Sequence, residues 1–407
     1  MKRDTHERAD DELWASFCEG GDQAVAMARY SAAVARADAL GFTYRHLPSI
    51  LAEEGGSAIL SRLRALQEVK PGSVEETAIL GGITSPGVSI QQALATFVDE
   101  IVNDEQTGKS PGQYKIWLAK WNLAVNNFVA ICGPRNIHDI TRGDALTFYN
   151  WWREKIAPDR KSGKTATHSP CSGNRQIGIL RKLYRCYFLH MGAGEAEIRN
   201  PFDNLSFAER KRPSDEKLRL SFTTEWIVER ILAVGALAGL NDEARAIVLT
   251  LVETGCRPSE VANLEPKNIQ LSAPIPYIEI RPNLDPDNPR EIKTASSVRD
   301  IPLLGVSLEA MRKFPEGFPR YKDKGNSLSA TLNKYFWENG LFPTENHVIY
   351  SFRHSFEDRM KHVKADVEMR KILMGHGLDR PQYGDGGLEW KREELARMAL
   401  PFDPSIV

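Results

Sequence analysis

Four segments in the second half of the chain hold the residues best suited to chemistry. The first, Thr254-Gly255-Cys256-Arg257-Pro258-Ser259-Glu260-Val261, reads as a helix ending at a glycine, with Pro258 in the first turn of the next helix. Arg257 stands at that junction, where exposed amides and the positive end of a helix favour an anion. The second segment, Ile292-Lys293-Thr294 ahead of Val298-Arg299-Asp300-Ile301-Pro302, places Lys293 on a turn between strands. The third is Tyr350-Ser351-Phe352-Arg353-His354, on a helix. The fourth is Leu373-Met374-Gly375-His376, followed by Pro381-Gln382-Tyr383-Gly384.

Other chemistries are poorly served. Gly108-Lys109-Ser110 and Gly163-Lys164-Thr165 look like the end of a phosphate-binding loop, but such a loop needs a further glycine five positions earlier, where this chain has Asn103 and Pro158. His347, His354, His362 and His376 lie close in sequence, yet no HExxH or paired Cys/His spacing accompanies them, so a metal site is not expected.

The order of the four segments resembles the catalytic domain of tyrosine recombinases of the phage-integrase type. In that family an arginine follows a TG pair, a lysine on a β-turn precedes R-x-(I/V)-P, an arginine is followed by histidine, and a GH pair precedes the nucleophilic tyrosine. The resemblance covers roughly residues 220–400, and the helical stretch 88–205 resembles the family's core-binding domain. It implies that Arg257 and Arg353 grip the non-bridging oxygens of the scissile phosphate, which suits a planar, permanently charged fork. Lys293 would protonate the departing 5′-oxygen, and His376 would bond the phosphate or position the nucleophile. Tyr383 would attack phosphorus to leave a 3′-phosphotyrosyl link. No cofactor is implied. The implied partners are double-stranded DNA, held in a C-shaped clamp, and further copies of the chain in a tetramer on paired sites, with the C-terminal helix 388–400 packing on a neighbouring protomer.

Two positions depart from the family pattern. Tyr350 stands where a histidine or lysine is usual; a phenol with a pKa near 10 is a poor base but can still hydrogen-bond a phosphate oxygen. The interval from His376 to Tyr383 is shorter than usual, although no other tyrosine follows His376. Plainer readings stay open: Arg257 capping or pairing with Glu260, Arg353 pairing with Glu357 one turn along, Lys293 as a solvated turn residue, and His376, His354 and Tyr350 as packing residues. Two alternative functions also remain, a catalytically weak DNA-binding or regulatory relative and a type IB topoisomerase.

The elements that must position these residues are mostly helices. The alanine-rich run AVAMARYSAAVARADAL and the stretch LPSILAEEGGSAILSRLRAL predict helices within 1–80, with a break at Gly81-Gly82 and Ser85-Pro86-Gly87. Tyr114, Trp117, Leu118, Trp121, Val125 and Phe128 share one helical face, which reads as bundle core. Thr141 with Asp144 makes a capping pair ahead of a helix over 144–156, and another helix is expected at 173–191. Helices at 224–238, 241–254 and 388–400 flank a small sheet drawn from PYIEIRP and SSVRDIPLL. The expected fold is therefore mainly α with a small β-sheet. A helical N-terminal segment (1–87) leads to a helical core DNA-binding domain (88–207), a linker (208–221) and an α+β catalytic domain (222–407).

A length of 407 residues accommodates several domains. The absence of an apolar run of about 18 residues excludes a transmembrane helix. The charged start MKRDTHERADDELW and five scattered cysteines point to the cytoplasm and to reduced thiols. The net charge of −1 hides an uneven distribution. Residues 88–220 carry 20 Lys and Arg against 14 Asp and Glu, an excess of +6 in the stretch expected to track phosphates. The unmatched N-terminal segment points to a mobile genetic element rather than a housekeeping role.

Overall fold

Hydrophobic periodicity produces helices along most of the chain, and β-branched residues fold only one short stretch into a sheet. The computed structural model describes residues 23–45, 47, 50, 55–83, 87–159, 161, 163–209, 220–377, 384 and 386–407. Cys18, Tyr383 and positions 210–219 of the expected linker lie outside them.

The chain divides into two units, and helices contribute to each. The first comprises Met1–Phe97, Val125–Glu154 and Leu180–Asn204. It contains α1 (Gln23–Ala39), α2 (Gly56–Glu68), α3 (Val74–Leu80) and α4 (Ile90–Thr96). It also holds parts of α5 (Pro111–Cys132), α6 (Arg142–Ile156) and α7 (Pro170–His190). Ser89 and Gln92 cap α4 reciprocally, as do Thr141 and Asp144 for α6. The core of this unit is aromatic: Phe128 meets Phe148 and Phe202 edge-on at centroid distances of 5.7 and 5.6 Å. Along α5, Trp121, Val125 and Phe128 are buried while Tyr114, Trp117 and Leu118 are half-buried, so the apolar face is core, as the spacing predicts.

The second unit comprises Val98–Ala124, Lys155–Ile179 and Leu205–Val407. The helix expected over 224–238 is shorter: α8 (Thr224–Trp226) continues as a π-turn only to Ile231. Gly235 takes a left-handed conformation, and Tyr335 then replaces helical bonds, its hydroxyl donating to Ala236 O (2.9 Å) and accepting from Gly239 N (3.2 Å). Next comes α9 (Asp242–Thr254), capped by Asn241 and buried from Ala246 to its end, the central helix of the unit. α10 (Pro258–Val261) follows it. Strands β1 (Ile269–Gln270), β2 (Tyr277–Ile280) and β3 (Arg299–Pro302) form an antiparallel sheet in that order, with Ile278 opposite Ile301. The remaining helices are α11 (Gly305–Lys313), α12 (Gly325–Glu338), α13 (Ser351–His362), α14 (Val367–Met374) and α15 (Gly387–Ala396).

α15 is seated against β3 of its own chain, with Lys391 and Leu395 buried. The segment after it is tied to α9 by a buried pair. Glu253 accepts from Leu400 N (2.8 Å) and from Arg359 Nη1 (3.1 Å), and Arg359 also donates to the Met398 carbonyl (3.2 Å). Replacing Arg359 with Met leaves the Glu253 carboxylate buried without its cation. A loss of about 3–5 kcal/mol is expected in chemical denaturation. A loss below about 1 kcal/mol would show that the pair does not secure the C-terminal segment.

Candidate active site

The site begins where α9 stops. Gly255 caps α9 at φ +59°, and a Cβ there would fall 2.2 Å from a ring carbon of Phe356, so both backbone conformation and space require glycine. Cys256 is buried beneath this corner, and Arg257 is the N-cap of α10, with Pro258 at its first position. Both expected plain contacts of Arg257 are present: its amide donates to Glu260 Oε2 (2.8 Å) and its Nη1 to Glu260 Oε1 (2.5 Å). Nη1 also donates to Ser297 Oγ (3.2 Å), while Nε is buried without a hydrogen-bond partner among the described residues. An orphaned guanidinium N–H is costly unless a ligand satisfies it.

Arg353 lies on α13 among Phe352, Phe356 and Met360 and is only 2% exposed. It does not pair with Glu357. Nη1 donates to the carbonyl of Gly255 (2.8 Å), Nη2 to the carbonyl of Met374, and Nη2 also to Nε2 of His376 (3.3 Å). Burial lowers its pKa, and the guanidinium groups of Arg257 and Arg299 add to that shift. Two helices therefore end at this arginine, α9 at Gly255 and α14 at the left-handed Gly375, and each presents a C-terminal carbonyl, the negative end of its dipole.

His376 follows the cap of α14. Because arginine has only donors, Nε2 of His376 is the acceptor in their contact, which places the imidazole proton on Nδ1. Burial lowers the pKa of His376, as do Arg353, Arg257 and Arg299, with Glu357 opposing them. In an NMR titration of the DNA-free protein, His376 is accordingly expected to titrate below the ordinary value of 6.5. The folded chain then binds fewer protons than the unfolded one just below that pH, so stability falls on acidification and His376→Gln weakens the dependence. Titration above 6.5 would show that an acidic neighbour outweighs the arginines.

Sequence reasoning missed one organiser of the site, Arg299, and with it half the role of Glu260. Arg299, 4% exposed on β3, donates to Leu373 O (2.9 Å), Ser297 O (2.8 Å) and Glu260 Oε2 (2.8 Å). Glu260 joins Arg257 to Arg299. Burial alone would raise its carboxyl pKa, but the two arginines hold it below the usual range. The Val298–Pro302 run marks the strand without revealing that its arginine points inward. The three-residue spacing predicts the contact of Glu260 with Arg257, whereas its bond to Arg299, 39 positions away, has no such local signal.

Lys293 is exposed in the connection between β2 and β3 and lines a cleft shared with Arg257, Glu260 and Gln113. Tyr350 immediately precedes α13; its ring lies 5.6 Å from that of His354, and its phenol is within electrostatic range of Arg353. The structure thus brings Arg257, Arg353, His376 and Tyr350 together, with Lys293 on the cleft beside Arg257. Among the described residues no group of three or more His, Cys, Asp or Glu is arranged to hold a metal ion, and no helix is long and apolar enough to cross a membrane. Cys132, Cys171, Cys186 and Cys256 form no disulfide among the described residues.

No protein-family model and no curated protein matches the sequence. Among solved structures, an integrase from mycobacterium phage Brujita is similar over 74% of this chain and 94% of its own, at 15% identity and a TM-score of 0.35. The Tn1549 transposon integrase in complex with a circular intermediate DNA is similar over 77% and 100%, at 16% identity and a TM-score of 0.45. A lambda integrase tetramer bound to a Holliday junction is similar over 79% and 83%, at 14% identity and a TM-score of 0.46. At these identities and TM-scores the likenesses carry no functional argument by themselves.

Proposed function

We propose that this chain is a site-specific DNA recombinase that breaks and rejoins double-stranded DNA through a 3′-phosphotyrosyl intermediate. It would act in the cytoplasm for a mobile genetic element, as a tetramer on paired sites. Residues 88–207 would serve as the core DNA-binding domain and 222–407 as the catalytic domain, joined by the linker 208–221 and preceded by the helical segment 1–87. One observation supports this most. Arg257, Arg299 and Arg353 converge, and among the described residues Glu260, bonded to the first two, is the one carboxylate that hydrogen-bonds any of them. Such a surplus of buried positive charge calls for an anionic ligand.

In the reaction, Arg257 and Arg353 bind the non-bridging oxygens and stabilise the charge of the pentacoordinate transition state. Nδ1–H of His376 donates a hydrogen bond to the phosphate or the nucleophile, and Tyr350 is an additional donor to a phosphate oxygen. The Tyr383 oxygen forms a bond to phosphorus and passes its proton to solvent water. The bond to the 5′-oxygen breaks, and Lys293 supplies that oxygen with a proton. The phosphodiester energy is retained in the tyrosyl ester, so the 5′-hydroxyl of a second DNA end can reverse the step with no added energy source.

The test starts from the duplex sequence that the full chain selects from a random pool. A nicked version of that duplex, whose short 5′ fragment diffuses away after cleavage, is incubated with the protein. A denaturant-stable adduct is expected, with the DNA-linked peptide containing Tyr383. Sequence-specific binding without an adduct would overturn the proposal in favour of a DNA-binding protein. Relaxation of any supercoiled plasmid without need of that site would overturn it in favour of a type IB topoisomerase.

A further inference from the structure

Helix α5 starts behind a reciprocal cap: Gln113 N donates to Ser110 Oγ (3.2 Å) and Ser110 N donates to Gln113 Oε1 (3.1 Å). The Gln113 side chain then reaches the other end of the cleft wall. Its Nε2 donates to the Glu291 carbonyl (2.8 Å), and its Oε1 accepts from the Glu291 amide (3.1 Å). A side-chain amide thereby satisfies both main-chain polar groups of a residue 178 positions away, much as a neighbouring strand would.

Further contacts fix the same point. Lys109 Nζ lies 2.9 Å from Glu291 Oε2. The Asp323 carboxylate accepts from Ser110 Oγ (2.5 Å), from Gly112 N (2.5 Å) and from Arg290 Nη1 (2.7 Å). Arg290 and Asn283 exchange two main-chain bonds of 2.9 Å each. Residues 290 and 291 are therefore held at the main chain, whereas Lys293, two residues on, is exposed and makes no hydrogen bond or ion pair among the described residues. Gln113 is the last fixed point before the free lysine.

We propose that Gln113 is the positioning residue for Lys293: by clamping the main chain of Glu291 it holds the lysine where its ammonium can reach the leaving oxygen. This rests on the reading of Lys293 as the general acid. Proton transfer requires a donor within hydrogen-bond reach of its target, so freeing the connection between β2 and β3 dilutes the productive placement of Nζ. The cap that starts α5 and the delivery of the proton then depend on one side chain.

A substrate with sulfur in place of the 5′-bridging oxygen tests this. A thiolate leaves without protonation, since its conjugate acid has a pKa near 8.5, so loss of the general acid matters little on that substrate. Single-turnover cleavage is measured with both substrates for Lys293→Ala, Gln113→Ala and the isosteric Gln113→Met, which keeps volume but removes the amide. Lys293→Ala is expected to slow the oxygen substrate by at least about 100-fold. Both Gln113 variants are expected to slow it by about tenfold. All three should come within about threefold of wild type on sulfur, while Arg353→Lys stays slow on both. Gln113 variants equally slow on both substrates, or as fast as wild type on oxygen, would overturn the positioning role. Lys293→Ala unrescued by sulfur would instead remove the acid assignment itself, and this inference with it.

Discussion

Tyr383→Phe is expected to bind its selected duplex as tightly as wild type and to form no covalent adduct with it. Phenylalanine keeps the ring and lacks only the oxygen that would bond to phosphorus, so nothing in the chain remains to make the ester. Because no other tyrosine follows His376, the loss should be complete and not partial. Adduct yield on the nicked duplex, beside a gel-shift titration of the same DNA, measures both properties. Adduct at wild-type levels would move the nucleophile to another residue and break the link between the GH pair and the tyrosine after it.

The second large effect concerns Arg353. Its Nη1 and Nη2 span carbonyls on two different helices, Gly255 and Met374, and also touch His376. A lysine keeps the charge but is a single compact head that cannot hold two divergent carbonyls and a phosphate together. Arg353→Lys is expected to lower the rate of cleavage by a factor of about 100–1,000, equivalent to losing one preorganised transition-state donor of about 3–4 kcal/mol. Single-turnover cleavage at saturating protein measures it, with thermal unfolding recorded alongside. A rate within about threefold of wild type would exclude Arg353 from the charge-stabilising set.

Much of this arrangement was legible in the sequence, and the reason is local geometry. A glycine, an arginine and a proline in the order 255, 257, 258 specify a helix stop, an N-cap and a helix start, so the placement of Arg257 follows from backbone rules. Gly375 fixes His376 in the same way. Thr141 with Asp144, and the apolar face of α5, likewise depend on residues only a few positions apart. What escaped depends on distant partners. Arg299 reaches Leu373, and Gln113 reaches Glu291, through bonds to main-chain atoms, which carry no residue-type signature. The shortened helix after Thr224 has the same origin, since the Tyr335 hydroxyl supplies from afar the bonds that a longer helix would have made for itself.

The support of Arg353 by two helix-end carbonyls has a kinetic consequence. A guanidinium neutralised by a carboxylate must give up that counterion when a phosphodiester arrives, and the exchange adds a barrier. Carbonyl dipoles leave the full unit charge in place and are themselves fixed by the helices behind them. On the proposed function, an incoming phosphate would meet a cation already oriented and without a counterion, so the reorganisation that water would demand at each cleavage would have been completed once, during folding.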